Sequence, residues 1–200
     1  MSEIKRLSSE QLGHLEELLR ECGAPIVARL QPPATPERLA AVEEHLGRPL
    51  PLEVRQWWGW HDGTDLNPDE RAAQGSIGPG FSFLRTDRAI EDSRWRRNDA
   101  EDTEPEDPDS LWRKTWLAID PLGRVACDCA VEPDAPVPIL KGDPHLVDEV
   151  GTVAARSFGE MVQWWIEALE TGIWIYEPDH DRWERKPELI SRELDLTRLI

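Results

Sequence analysis

The sequence predicts a single α+β domain, and three observations predict it: amphipathic helical stretches at both ends, short strand segments closed by tight turns between them, and enough apolar residues for a core. Of 200 residues, 39% are hydrophobic. Together with the 13 glycines this falls at the low end of the globular range and excludes a disordered chain. A chain of this length buries roughly 70% of its unfolded surface.

Residues 8–22 carry the first helix. Ser8 and Gln11 have capping-box spacing, Leu12, Leu15, Leu19 and Cys22 form one stripe, and Gly23 supplies the stop. After the linker Gln31-Pro32-Pro33-Ala34, Thr35 is an N-cap and Pro36 takes the first helical position. Leu39, Val42 and Leu46 face inward there, and Gly47 closes the helix. Pro49-Leu50-Pro51 forces a corner before a short helix with Val54, Trp57 and Trp58, ending near Asp62-Gly63. Phe81-Ser82-Phe83 reads as a short strand. Residues 86–97 read as a helix with Ala89, Ile90 and Trp95 as its scarce apolar positions. From Asp99 to Asp109 stand seven acids and no base: Asp99, Glu101, Asp102, Glu104, Glu106, Asp107 and Asp109. Such a run repels itself and reads as an exposed loop.

Residues 115–120 and 124–131 form a hairpin around Asp120-Pro121-Leu122-Gly123, a type I turn sequence. Val125, Cys127, Cys129 and Val131 alternate onto one face. Further strands are expected at 136–140 and around 145–153. The clearest helix is 157–171, with Ser157 and Glu160 as capping box, Phe158, Met161, Val162, Trp165, Ile166 and Leu169 as stripe, and Gly172 as stop. A second hairpin joins 173–176 to 182–185 through a five-residue loop that sets Ile175 opposite Trp183. Residues 187–200 read as a last short helix.

Charge narrows the partners. Twenty-three basic against 40 acidic residues give a net charge of −17. Nucleic acid is a poor partner for such a surface and none is expected, since affinity there comes from neutralising phosphates. An anionic membrane is disfavoured by the same sign, and a basic protein is favoured. Three cysteines imply no disulfide framework. With no apolar stretch at the start and no apolar run of membrane-spanning length, the expectation is a cytoplasmic chain, monomeric or weakly dimeric.

Catalytic and metal motifs are scarce. Cys127-Asp128-Cys129 offers two thiols where a structural zinc site takes four ligands, so the pair reads as core packing. His61-Asp62 is the one opening for a metal-dependent hydrolase, but no further histidines and second aspartate stand at matching positions. Asp179-His180-Asp181 reads as a hairpin turn. No nucleophile elbow and no phosphate loop occur. The expectation is no enzyme, no cofactor and no metal. The informative excess is ten tryptophans among fourteen aromatics. Trp165 lies on its helix stripe, while Trp164, about 100° round the helix, covers a flank or a partner.

Four segments in order resemble the SUKH superfamily, which includes the yeast cell-wall-assembly regulators of the SMI/KNR type and many bacterial relatives. They are Pro32 to Glu37 leading to Glu43-Glu44-His45-Leu46-Gly47-Arg48-Pro49-Leu50-Pro51, then Val54-Arg55-Gln56-Trp57-Trp58-Gly59-Trp60-His61-Asp62-Gly63, then Trp116-Leu117-Ala118-Ile119-Asp120, and Ser157-Phe158-Gly159-Glu160-Met161-Val162-Gln163-Trp164-Trp165. The resemblance implies helices packed around a twisted, mainly antiparallel sheet over residues 31–185, with residues 1–30 as an extra N-terminal helix and linker and 186–200 as a tail. It carries no catalytic residues. Many bacterial members look like immunity proteins that bind and block a toxin, often a nuclease; the yeast members suggest an intracellular scaffold or regulator instead. The expected partner is therefore a protein, a basic toxin domain. Its expected contacts are Trp60, His61, Asp62, Trp164 and the seven acids of 99–109.

Overall fold

The computed structural model describes residues 4–65, 75–79, 81–121, 124–142 and 150–189. Four helices lead: α1 (Ser9–Glu21), α2 (Pro36–Leu46), α3 (Leu52–Trp60) and α4 (Thr86–Thr103). A four-stranded antiparallel meander follows, β1 (Trp116–Ala118), β2 (Val125–Asp128), β3 (Ile139–Lys141) and β4 (Val153–Ala155), in that spatial order. Helix α5 (Phe158–Glu170) and a separate hairpin of β5 (Trp174–Glu177) and β6 (Arg182–Arg185) complete the described chain. The class is α+β.

The helix starts are where the capping residues put them. Ser8 Oγ accepts from the Gln11 amide at 3.2 Å, Thr35 Oγ1 from Arg38 at 3.4 Å and Ser157 Oγ from Glu160 at 2.9 Å. Gly47 ends α2 in the left-handed conformation, at φ +67°.

The sheet is covered on both faces. Val125, Cys127 and Cys129 enter the larger core with Leu12, Leu15 and Leu19 of α1, Val54 and Trp57 of α3, and Phe158 and Trp165 of α5. Trp116, Ala118, Ala126 and Leu140 point the other way and meet Ala100 of α4 and Trp112. The two thiols lie 3.9 Å apart, fully buried, and burial pushes the Cys127 thiol well above its ordinary pKa, which makes it a packing group.

A single carboxylate ties distant segments to this core. Glu53 of α3 is 4% exposed. Its Oε1 accepts from the amides of Leu7 (2.7 Å) and Gly159 (3.3 Å), and its Oε2 from Val137 (2.7 Å). Gly159 is required where it stands, because a Cβ there would collide with the backbone of Arg6 and Leu7.

Three expectations are corrected. Helix α4 runs to Thr103, so the first five residues of the acidic run are helical, and Pro108–Ser110 forms a 3-10 turn. Its inward positions are Thr86, Ala89, Ser93, Arg96 and Ala100, spaced by threes and fours but mostly small or polar, so a search for apolar residues stops short. Trp95 lies on the opposite side of α4 and is 59% exposed. Phe81-Ser82-Phe83 is no strand: Ser82 makes one bridging pair with Ser76, and both phenylalanines are buried. Finally, Trp183 stands opposite Tyr176, not Ile175, because Glu177 pairs with Arg182 and shortens the loop by one residue. Asp181, at φ +48°, accepts from Tyr176 Oη at 2.5 Å and holds that tighter turn.

Prolines at 136 and 138 cannot donate to a ladder, and β3 accordingly begins at Ile139. Leu122 and Gly123 of the first hairpin turn, residues 143–149 and residues 190–200 lie outside the described residues; of the expected last helix, Pro187–Leu189 is a 3-10 turn.

Candidate protein-binding face

The Trp57-Trp58-Gly59-Trp60-His61-Asp62-Gly63 segment is mostly turned inward. Trp57 is fully buried and packs against Phe83 (4.4 Å between ring centroids), Phe158 (5.4 Å) and Trp165 (6.1 Å). Trp58 Nε1 donates to the Leu84 carbonyl at 3.0 Å. Trp60 and His61 are half-buried and share Glu16 of α1: Trp60 Nε1 donates to Glu16 Oε2 at 3.2 Å, and His61 Nε2 lies 3.4 Å from the same oxygen. His61 Nδ1 is 2.6 Å from the Gln31 carbonyl oxygen. Burial pushes the Glu16 carboxyl up, but hydrogen bonds from His61 and Trp60 with the charges of His61 and Arg20 outweigh it and hold it below its ordinary value.

Asp62 does something sequence reasoning does not show. It is 3% exposed, and its Oδ1 accepts from the amide of Thr86, the first residue of α4, at 2.8 Å. Helix α4 has no side-chain cap of its own, so Asp62 caps it from 24 residues away, while Oδ2 pairs with Arg38 of α2. Gly63 follows at φ +74°, and a Cβ there would collide with Leu84 and Arg85. The neighbouring His61 and Asp62 thus turn to different partners and do not converge on one point. Among the described residues no group of three His, Cys, Asp or Glu side chains is placed to hold a metal ion. In the second hairpin, His180 Nδ1 lies 3.2 Å from Glu177 while Asp181 engages Tyr176.

The seven acids of 99–109 are all exposed. Glu101 and Asp109 both take Arg97, at 2.7 and 2.5 Å, and Arg97 also donates to the Trp112 carbonyl at 2.7 Å. That clamp folds the end of α4 back onto the segment preceding β1. Trp164 is half-buried against the larger core on α5. The structure therefore separates the expected contacts: Trp60, His61 and Asp62 lie around the α3 end, Trp164 on α5, and the acids along and after α4.

Of the ten tryptophans, six are buried, three half-buried, and Trp95 alone is exposed. Its neighbours at helical spacing are Arg88, Glu91, Asp92, Asp99 and Asp102. It borders a cleft of about 590 Å³ between α4 and the segments that follow Gly63 and precede Thr86, lined also by Asp65, Arg85, Asp87 and Pro121. Beneath Pro121, Asp120 is fully buried; burial pushes its carboxyl above the ordinary range against the opposing charge of Arg124. The exposed indole, with the Arg96 guanidinium 5.7 Å from its ring centroid and carboxylates before and after it along α4, is a large apolar side chain left in water beside a cleft.

A model of the SMI1 / KNR4 family (SUKH-1) matches residues 33–164, from just before α2 into α5. The chain belongs to this family. No curated protein matches it. Membership in SUKH-1 points to a protein-interaction or immunity-type module, in a family of generally non-catalytic immunity or regulator proteins. Among the described residues no helix is long and apolar enough to cross a membrane.

Proposed function

We propose that this SUKH-1 chain is a non-enzymatic immunity protein that binds and neutralises a basic toxin domain, using the outer face of α4 and the acids that follow it. The observation that carries this reading is Trp95, the exposed tryptophan, set in a row of carboxylates on a chain of net charge −17. Opposite fields accelerate encounter with a cationic partner, and a buried indole slows its release. The acidic face presents a basic nuclease with a field like that of its own substrate.

Co-expression with a basic toxin domain encoded alongside this chain tests it. Growth should be rescued and the two proteins should co-purify, and both effects should be lost with W95A combined with D99K and D102K. If the unaltered chain captures no protein and rescues no cell from such a toxin, the reading is wrong. Capture of several unrelated intracellular proteins without protection would favour a scaffold or regulator role instead.

A further inference from the structure

A second surface runs against the molecule's net charge. Between the C-terminal end of α2, the middle of α4 and the segment before β1 lies a groove of about 270 Å³. Arg94, Arg97, Arg113 and Lys114 line it, with His45 and Trp116. Glu44 is the carboxylate among its lining residues.

This concentration of cations is unusual for the chain. Several of its other arginines are matched locally, as in Arg20 with Glu16, Arg88 with Glu91, Arg96 with Asp92 and Arg156 with Glu160. Arg94, Arg113 and Lys114 are exposed, and none of them has a carboxylate at ion-pair distance among the described residues. The Arg113 guanidinium instead stacks 5.5 Å from the Trp116 ring centroid, which fixes its position. Arg94 lies close enough to His45 for its charge, after burial, to hold that imidazole's pKa below the ordinary value. The Trp116 side chain is 3% exposed, and its Nε1–H is buried without a hydrogen-bond partner. Three exposed cations thus converge on one groove with no carboxylate among the described residues paired to any of them, which makes it a local centre of positive potential on an acidic chain.

Three free cations exceed what one carboxylate neutralises. A phosphate monoester carries close to two negative charges near neutral pH and three terminal oxygens, which suits guanidinium forks and an ammonium together. We propose that this groove binds a phosphate monoester, with Arg94, Arg113 and Lys114 as its charge partners and Trp116 in its lining. The site is separate from the Trp95 face and does not depend on the toxin reading.

Inorganic phosphate is the first probe, followed by indole N–H signals in nitrogen-15 NMR spectra of the full chain. The Trp116 signal, assigned by its loss in W116F, should shift saturably with phosphate and stay put with sodium chloride at equal ionic strength. R94Q combined with K114Q should weaken binding at least tenfold; both residues are exposed, so the fold and its Tm should hold. A phosphoserine peptide and a nucleoside monophosphate then tell whether a protein side chain or a small molecule carries the phosphate, by which binds more tightly. No saturable shift with any of the three probes, or an equal response in the double variant, overturns the proposal. Loss of toxin protection by W95A with phosphate binding intact would keep the two proposals distinct.

Discussion

Glu53 and Asp99 are both carboxylates on helices, and they do opposite work. Glu53 sits in the interior and accepts three backbone N–H groups from residues 7, 137 and 159, holding the N-terminal segment, a loop and the start of α5 together. Asp99 and its neighbours on α4 stand in water beside an exposed indole. Asp62 belongs with Glu53: it spends both oxygens inside the molecule, on the Thr86 amide and on Arg38. The difference teaches that in a chain with 40 acids, function is read from which carboxylates are left without an internal task. A buried carboxylate earns its place by satisfying backbone donors, whereas an exposed one contributes mainly field.

Four changes break or sharpen that contrast, in descending order of effect. Glu53→Ala leaves three backbone N–H groups unpaired and should cost about 3–5 kcal/mol in urea unfolding, near the upper end for one substitution. A loss under 1 kcal/mol would show the three segments hold without it. Trp95→Ala should leave stability within about 0.5 kcal/mol yet weaken capture of the basic partner by about 2 kcal/mol or more, read by calorimetry. Asp62→Ala removes the distant cap of α4 and should cost about 1–2 kcal/mol, with loss of helix signal in circular dichroism. The mildest is a pH effect at Asp120. Its folded pKa lies above the ordinary 3.8, so the stability its protonated form contributes is present below that value and fades as pH rises through the folded pKa. Asp120→Asn should therefore gain on the unaltered chain over that window, and parallel unfolding curves from pH 3.5 to 7 would refute it.

The helix boundaries at Ser8, Thr35 and Ser157 were legible because a cap is a local device: one hydroxyl and an amide three residues on. The first hairpin and the packing role of Cys127 and Cys129 were legible through period-two alternation. Less visible was the extent of α4, because its inward side carries Thr86, Ser93 and Arg96 where a periodicity search wants apolar residues. Ser93 faces inward because its Oγ takes the Ala118 amide of β1 at 2.9 Å, a partner 25 residues away.

By itself, the sequence determined the α+β class, the acidity of the chain and the local caps at Ser8, Thr35 and Ser157. Those properties rest on composition and on contacts within a few residues. Only the tertiary structure decided that Asp62 caps α4, that Trp95 faces water, and that Arg94, Arg113 and Lys114 share one groove. Burial and long-range hydrogen bonds are properties of pairs far apart in the chain, and they exist only once the chain has folded.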